Sequence, residues 1–218
     1  MLKRQIRPVR AVVPLKVIKK SKSRLSGLRQ EDRAKLTLAM FRNVLAALRN
    51  ARGITDVTVV SGDRSVSRIA HRYGATFLWE GKRLGLNTAL KLAISKLEQR
   101  ADAAAMIIHA DLPLLTSEDI DTFVTRSQDC QIAIVPCKNG TGTNALLLRP
   151  PNAIPPKFGK GSYKTHLSLA KETGFRWKVL RIRGIQFDID DQRDVQQLMH
   201  HNGQDLAFPF LMKTTQNN

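Results

Sequence analysis

The run Ala103-Ala-Ala-Met-Ile-Ile108 constrains this chain most, because it has no polar face. A strand that alternates can lie against solvent on one side. A continuous apolar one has to be covered on both, as in a parallel α/β sheet. After His109 and Ala110 the run closes on a single carboxylate, Asp111, and a Leu-Pro turn follows at once. Asp111 therefore falls at the carboxyl end of the strand, where open α/β sheets take their ligands. A carboxylate is costly to desolvate there unless a cation or donors meet it. Standing alone, Asp111 reads as the cap of the next turn. A second acidic pair, Asp188-Ile-Asp190, ends another strand-like segment, and the two together favour a metal site.

Around this strand the pattern alternates. Ala11–Leu15 reads as a short first strand, followed by the basic polar loop Lys16–Gly27. Glu31–Ala51 is the clearest helix, with Ala34, Leu38, Phe41, Leu45 and Leu48 on one stripe and Gly53 placed to end it. Strands follow at Asp56–Val60 and Ala75–Trp79, with helices at Ser65–Tyr73 and Leu86–Arg100. After Asp111, Thr116-Ser-Glu-Asp119 opens a helix that runs to Arg126, with a carboxylate three residues past the hydroxyl. The order β-α-β-α-β-α-β-α predicts a Rossmann-like sheet with right-handed crossovers. Beyond it, strands are expected at Gln131–Pro136, Asn144–Leu148 and Trp177–Ile182, and helices at Tyr163–Glu172 and Gln192–His200.

The composition is that of a globular protein, 42% hydrophobic and 25% charged. No apolar run approaches the roughly 20 residues of a membrane span. The basic N-terminus lacks the apolar core and cleavage site of a secretory signal, so a cytoplasmic location is the default expectation. Cys130 and Cys137 are the only cysteines. If both lie on one strand they stand roughly 23 Å apart, beyond disulfide reach, and the spacing is no zinc motif. The net charge of +18 is uneven: residues 1–50 hold 14 Lys/Arg against 2 Asp/Glu. Such a cluster attracts polyanions. No aromatic residue interleaves it between Lys3 and Arg24, so it offers no base-stacking platform. A polyanionic small molecule is favoured for residues 16–24 and a solvated tail for residues 1–10.

The candidate chemistry lies in three groups. Asp111, Asp188 and Asp190 are oxygen donors suited to a hard cation such as magnesium, and alternation puts both acids of Asp188-Ile-Asp190 on one side. The plain alternative is that Asp190 caps the final helix. Lys16, Lys19, Lys20, Lys22 and Arg24, with Ser21 and Ser23, can surround phosphates, although a loop like this is also a common flexible surface. Gly140-Thr-Gly-Thr-Asn144 and Phe158-Gly-Lys-Gly-Ser162 are glycine turns able to bring backbone close to an anion, the second at a helix start. There is no P-loop and no G-x-G-x-x-G. His109 reads as a core histidine or a support for Asp111, and no nucleophile-His pair stands out.

In this order, the landmarks resemble one family, the guanylyltransferases of deazaflavin (coenzyme F-420) biosynthesis. The matching stretches are Val13-Pro-Leu-Lys16 with Lys22-Ser-Arg-Leu-Ser26, Gly85-Leu-Asn87 with Ala89-Leu90, and His109-Ala-Asp-Leu-Pro-Leu114. Gly142-Thr-Asn-Ala-Leu146, Phe158-Gly-x-Gly-Ser162 with His166, and Asp188-Ile-Asp190 complete them, spanning residues 11–200. The family's Gly-Gly pair before Thr-Asn is here Thr141-Gly142. The resemblance implies a mostly parallel, mixed Rossmann-like sheet of the glycosyltransferase type A kind. It divides the chain into a basic arm at 1–10, one nucleotidyltransferase domain at 11–203 and a tail at 204–218.

By the same resemblance Asp111, Asp188 and Asp190 bind Mg2+. Pro14, Leu15, Lys16, Gly85 and Asn87 face the nucleotide, GTP. Lys16, Lys22 and Arg24 act on its phosphates, and Thr143, Asn144, Gly159 and Ser162 hold a small phosphorylated carboxylic acid. That acid is 2-phospho-L-lactate, phosphoenolpyruvate or 3-phospho-D-glycerate, with a lean towards the last from likeness to bacterial members. A sugar-phosphate or molybdopterin nucleotidyltransferase is the nearest alternative. A nucleic-acid-binding protein fits the charge but leaves the acids at two strand ends unexplained.

Overall fold

The structure, a computed structural model, describes residues 9–81, 85–98 and 104–201. The expected tail at 204–218 and all but the last two residues of the basic arm lie outside them. Seven strands join one sheet: β1 (Val9–Leu15), β2 (Ile54–Ser61), β3 (Thr76–Trp79), β4 (Ala104–Ile108), β5 (Ile132–Pro136), β6 (Thr143–Leu148) and β7 (Trp177–Val179). Their order is β3-β2-β1-β4-β6-β5-β7. Every neighbouring pair is parallel except those of β6, which runs against both β4 and β5. A tight turn between β5 and β6 causes this, since a short connection can only reverse the chain. Its closing bonds are Cys137 N–H to Gly142 O at 2.9 Å and Gly140 N–H to Cys137 O at 2.9 Å.

Among the described residues seven α-helices accompany the strands: α1 (Gln30–Asn50), α2 (Ser67–Arg72), α3 (Leu86–Glu98), α4 (Ser117–Arg126), α5 (Ser162–Glu172), α6 (Arg183–Gln186) and α7 (Gln192–His201). The sheet is covered on both faces, as the apolar run at 103–108 demands. Ala104, Met106 and Ile108 of β4 share one cluster with Phe41, Leu45 and Leu48 of α1 and Phe123 of α4. Ile107 points the other way, into a cluster with Leu90 and Ala93 of α3 and Ala170 of α5.

A third cluster was not apparent from the stripe read on α1. Leu36 and Met40 form a second stripe on that helix, and they pack with Leu25, Leu28, Phe187, Ile189, Val195 and Leu198. The basic loop is thus pinned by two leucines of its own, both almost fully buried.

Several boundaries differ from expectation. Phe187–Asp190 is irregular and not a strand, and Trp177–Ile182 shortens to Val179 before α6 turns the chain. Gly53 does not end α1 in a left-handed cap. Its lack of a side chain matters because an added Cβ would stand 3.0 Å from Val124, and its N–H donates to Asp121. Asp191, not Asp190, caps α7. Its Oδ1 accepts the Asp194 N–H while Asp194 Oδ2 accepts the Asp191 N–H, a reciprocal box. The box expected at Thr116 and Asp119 is present.

α6 sits directly on that Thr116–Asp119 box. A Cβ at Gly184 would lie 2.0 Å from Asp119 Oδ2 and 2.8 Å from Leu114 O. Gly184→Ala must therefore push α6 off the start of α4. We expect it to lower stability by about 1–3 kcal/mol, the usual cost of overpacking, in urea unfolding followed by circular dichroism.

Candidate active site

The carboxyl ends of β1 and β4 meet the beginning of β6 around a cleft of about 490 Å3. Because β6 runs backwards, its first residues stand beside the last of β4, and the His109 N–H donates to Asn144 O at 3.0 Å. One wall comes from Pro14, Leu15 and Lys16 with Lys22 and Arg24 of the first loop. A second holds Asp111, Asp188 and Asp190, and a third Thr143, Asn144, Gly159 and Ser162.

Of the residues picked from sequence, Gly85 and Asn87 are absent from the walls, where Leu86 stands instead. Asn87 is spent on the backbone: its Nδ2 donates to Phe158 O at 3.0 Å, and its Oδ1 accepts the Phe158 N–H at 2.8 Å. It ties α3 to the glycine loop. The side chain of Lys20 lies outside the described residues, and Lys19 is exposed away from the cleft walls.

The first loop is held, not loose. A 3-10 turn over Ile18–Lys20 begins it, with the Ile18 N–H on Asp63 Oδ2 at 3.1 Å. Ser21 shares a hydrogen bond with Thr37 of α1 at 2.8 Å. Arg33 Nη1 donates to the carbonyls of Leu25 and Leu28. These bonds, with the buried leucines, carry Lys22 into the acidic wall. Its ammonium donates to Asp111 Oδ2 and to the carbonyl of Ile189.

The acidic wall concentrates like charge. Burial, followed by the charges of Asp111 and Asp190, pushes the Asp188 carboxyl up to about 6, against a hydrogen bond from Asn144. Burial also works to raise Asp111, but Lys22 and further favourable contacts outweigh it and hold that carboxyl below its ordinary range. Asp111 Oδ1 is buried and has no hydrogen-bond partner among the described residues. Ile189 between the two acids is fully buried, as alternation required. Asp194 Oδ2 accepts the Asp190 N–H at 2.6 Å and its other oxygen pairs with Lys138. Among the described residues no three acid, His or Cys side chains form a ready-made cation cluster, and Lys22 provides the positive charge beside Asp111.

The third wall is hydroxyl and backbone. Gly159 has φ +134° and Gly161 φ +74°, conformations that a side chain would strain. Ser162 opens α5, but its N–H is taken by Gly159 O at 3.1 Å, so the side chain and not that amide is offered to the cleft. Sequence reasoning passed over Asp194, whose signal was the D-x-x-D spacing at the start of α7. Cys137, expected from its spacing to form neither a disulfide nor a zinc motif, is a buried free thiol that lines the cleft and accepts the Gly142 N–H at 2.9 Å.

The raised Asp188 gives a stability prediction. Its folded-state value lies above the ordinary 3.8, so the folded protein binds its proton more tightly, and ionised Asp188 opposes folding above about pH 6. Asp188→Asn should therefore raise the melting temperature in EDTA at neutral pH, by the equivalent of about 1–3 kcal/mol. The gain should shrink as pH falls from 6 towards 4. A lower melting temperature at neutral pH would show that the carboxylate is not strained there.

Comparison with known proteins agrees with this geometry. The family model described as guanylyl transferase CofC like matches residues 9–216. A phosphoenolpyruvate guanylyltransferase of Sphaerobacter thermophilus is 38% identical over 192 residues, covering 88% of this chain and 92% of the relative. One from Rubrobacter xylanophilus is 39% identical, covering 88% and 94%. A 2-phospho-L-lactate guanylyltransferase of a Methanocaldococcus species is 30% identical, covering 88% and 82%. Among solved structures, a nucleotide-diphospho-sugar transferase of Desulfovibrio desulfuricans superposes with a TM-score of 0.77 at 16% identity, covering 95% of both chains. CMP:2-keto-3-deoxy-manno-octonic acid synthetase does so at 0.63 and 10%, covering 91% and 99%. At such identities the structures show the fold alone. The family match extends over nearly the whole chain, and the protein belongs to the CofC-like guanylyl transferases, a family of nucleotidyltransferases.

Proposed function

We propose that the protein transfers GMP from GTP to the phosphate of phosphoenolpyruvate, releasing diphosphate, as a step of deazaflavin coenzyme biosynthesis. The observation that carries this reading is the meeting of three carboxylates, a basic loop and paired hydroxyls around one cleft. Phosphoenolpyruvate is preferred to the 3-phospho-D-glycerate that the sequence leaned towards, because the two bacterial relatives near 40% identity carry its name.

The chemistry asks for placement more than for a nucleophile. A phosphate monoester has its second pKa near 6 and is already mostly ionised at neutral pH. Its oxygen attacks the α-phosphorus of GTP. A new P–O bond forms, and the bond to the β-phosphate bridging oxygen breaks as diphosphate leaves. What opposes the step is repulsion between two polyanions, which cationic side chains can relieve. Lys16, Lys22 and Arg24 line the cleft for that purpose.

Asp111, Asp188 and Asp190 fit a hard divalent ion. All their donors are carboxylate oxygens, one of them buried and unpartnered, and Asp188 carries negative charge that nothing nearby fully offsets. Magnesium held by these residues would neutralise charge on the triphosphate and the leaving diphosphate. The ammonium of Lys22 meets Asp111, and Asp194 holds the Asp190 backbone in place.

Diphosphate release by purified protein with Mg2+, GTP and each of the three acids tests the reading, with most turnover expected for phosphoenolpyruvate. No turnover with any acid, together with salt-sensitive RNA or DNA binding, would sink it. Asp111→Asn and Asp190→Asn should each lower kcat/KM by about 10³-fold or more while the protein stays folded. Near-normal activity in both would remove the metal assignment.

A further inference from the structure

Behind the acceptor wall lies a buried histidine that the chemistry above leaves idle. His166 on α5 is fully buried, and both of its ring nitrogens are engaged. Nε2 accepts the backbone N–H of Lys157 at 3.0 Å, and Nδ1 stands 2.9 Å from Thr143 Oγ1. A nitrogen that accepts an N–H carries no proton. In the neutral ring the single proton therefore sits on Nδ1. It follows that Nδ1–H donates to Thr143 Oγ1.

That bond settles the direction of the next one. With Nδ1 acting as the donor, the ring does not take the Thr143 hydroxyl proton, and among the described residues no other protein atom receives it. Ser162 is in the same condition, because its Oγ accepts the Thr143 N–H at 3.0 Å and its own proton has no protein acceptor. Both residues line the cleft. Ring orientation is held from a third side. The Phe158 ring meets His166 edge-on at 4.9 Å, and the Phe158 backbone is clamped at both its N–H and its C=O by Asn87. Burial keeps the ring neutral by pushing its pKa down to about 4.

We propose that His166 is a positioning residue for the acceptor: by donating from Nδ1 it leaves the Thr143 hydroxyl proton free, so that Thr143 beside Ser162 meets the acceptor's carboxylate as a donor. This rests on the reading of the cleft as the site of a phosphorylated acid. The acid's phosphate has to face the α-phosphate of GTP among the cations, so the carboxylate is the group left for two neutral donors. Two donors in fixed directions favour an anionic oxygen and disfavour an amide N–H or a second hydroxyl donor at that place.

Nitrogen NMR of histidine-labelled wild-type protein reads the tautomer directly, and His166 is expected as Nδ1–H at neutral pH. In kinetics, His166→Leu should raise KM for phosphoenolpyruvate about ten- to hundredfold, as for a lost hydrogen bond to a charged group. KM for GTP should stay within about twofold, the directly contacted groups of the nucleotide being unchanged. His166→Asn, whose amide N–H can stand where Nδ1–H stood, should recover most of the loss. An Nε2–H tautomer in an active enzyme, or equal rises in both KM values with no recovery in the Asn variant, would overturn the positioning role alone. Failure of the wild type with every phosphorylated acid would instead remove the proposed activity, and the acceptor with it.

Discussion

The antiparallel pairing of β6 with β4 is the constraint on which the site depends. β4 delivers Asp111 just past its carboxyl end, and a parallel neighbour would have put Thr143 at the opposite edge of the sheet. Reversal brings the start of β6 to the same edge, and the His109 N–H to Asn144 O bond locks the two together. The hairpin at 137–142 is therefore as much part of the active site as the residues that line it. Both strands are buried on both faces. Their register cannot slip by one residue without turning every side chain to the wrong cluster.

The second requirement is electrostatic. Three carboxylates at one end of a cleft repel one another, and burial together with that repulsion pushes the Asp188 carboxyl up. Lys22 offsets part of it from a left-handed backbone conformation, φ +54°, which a residue with a side chain adopts at a cost of about 1 kcal/mol. Its loop tolerates this because Leu25 and Leu28 are held in the small cluster that also buries Phe187 and Ile189. One apolar cluster thus carries the basic loop and the acidic segment to the same place. Lys138 and Asp194 extend the arrangement by fixing α7 against the hairpin.

Much of this was visible in the chain before folding. The apolar run ending at Asp111, the stripe Phe41, Leu45 and Leu48, and the Thr116–Asp119 box are local patterns, set by contacts a few residues apart. The glycine turns were legible for the same reason. Of Gly85-Leu-Asn87 only Leu86 lines the cleft, and the Asn87 amide satisfies the backbone of Phe158, 71 residues away, a contact that no local spacing reveals. Leu36 and Met40 lie off the single apolar stripe read on α1 because a helix packed between two clusters carries two stripes.

Spacing and residue type were therefore enough to assign the α/β class, the order of the elements and the acids, bases and glycines available for chemistry. Those properties come from side-chain periodicity and turn stereochemistry, which act along the chain. The pairing of β6 with β4, the cluster that unites residues 25–28 with 187–189, the pairing of Lys22 with Asp111 and the tautomer of His166 were decided only in three dimensions. The first three join segments more than 30 residues apart, and the last needs both Lys157 and Thr143 brought to one ring, so burial and complementary hydrogen bonding decide what no local pattern encodes.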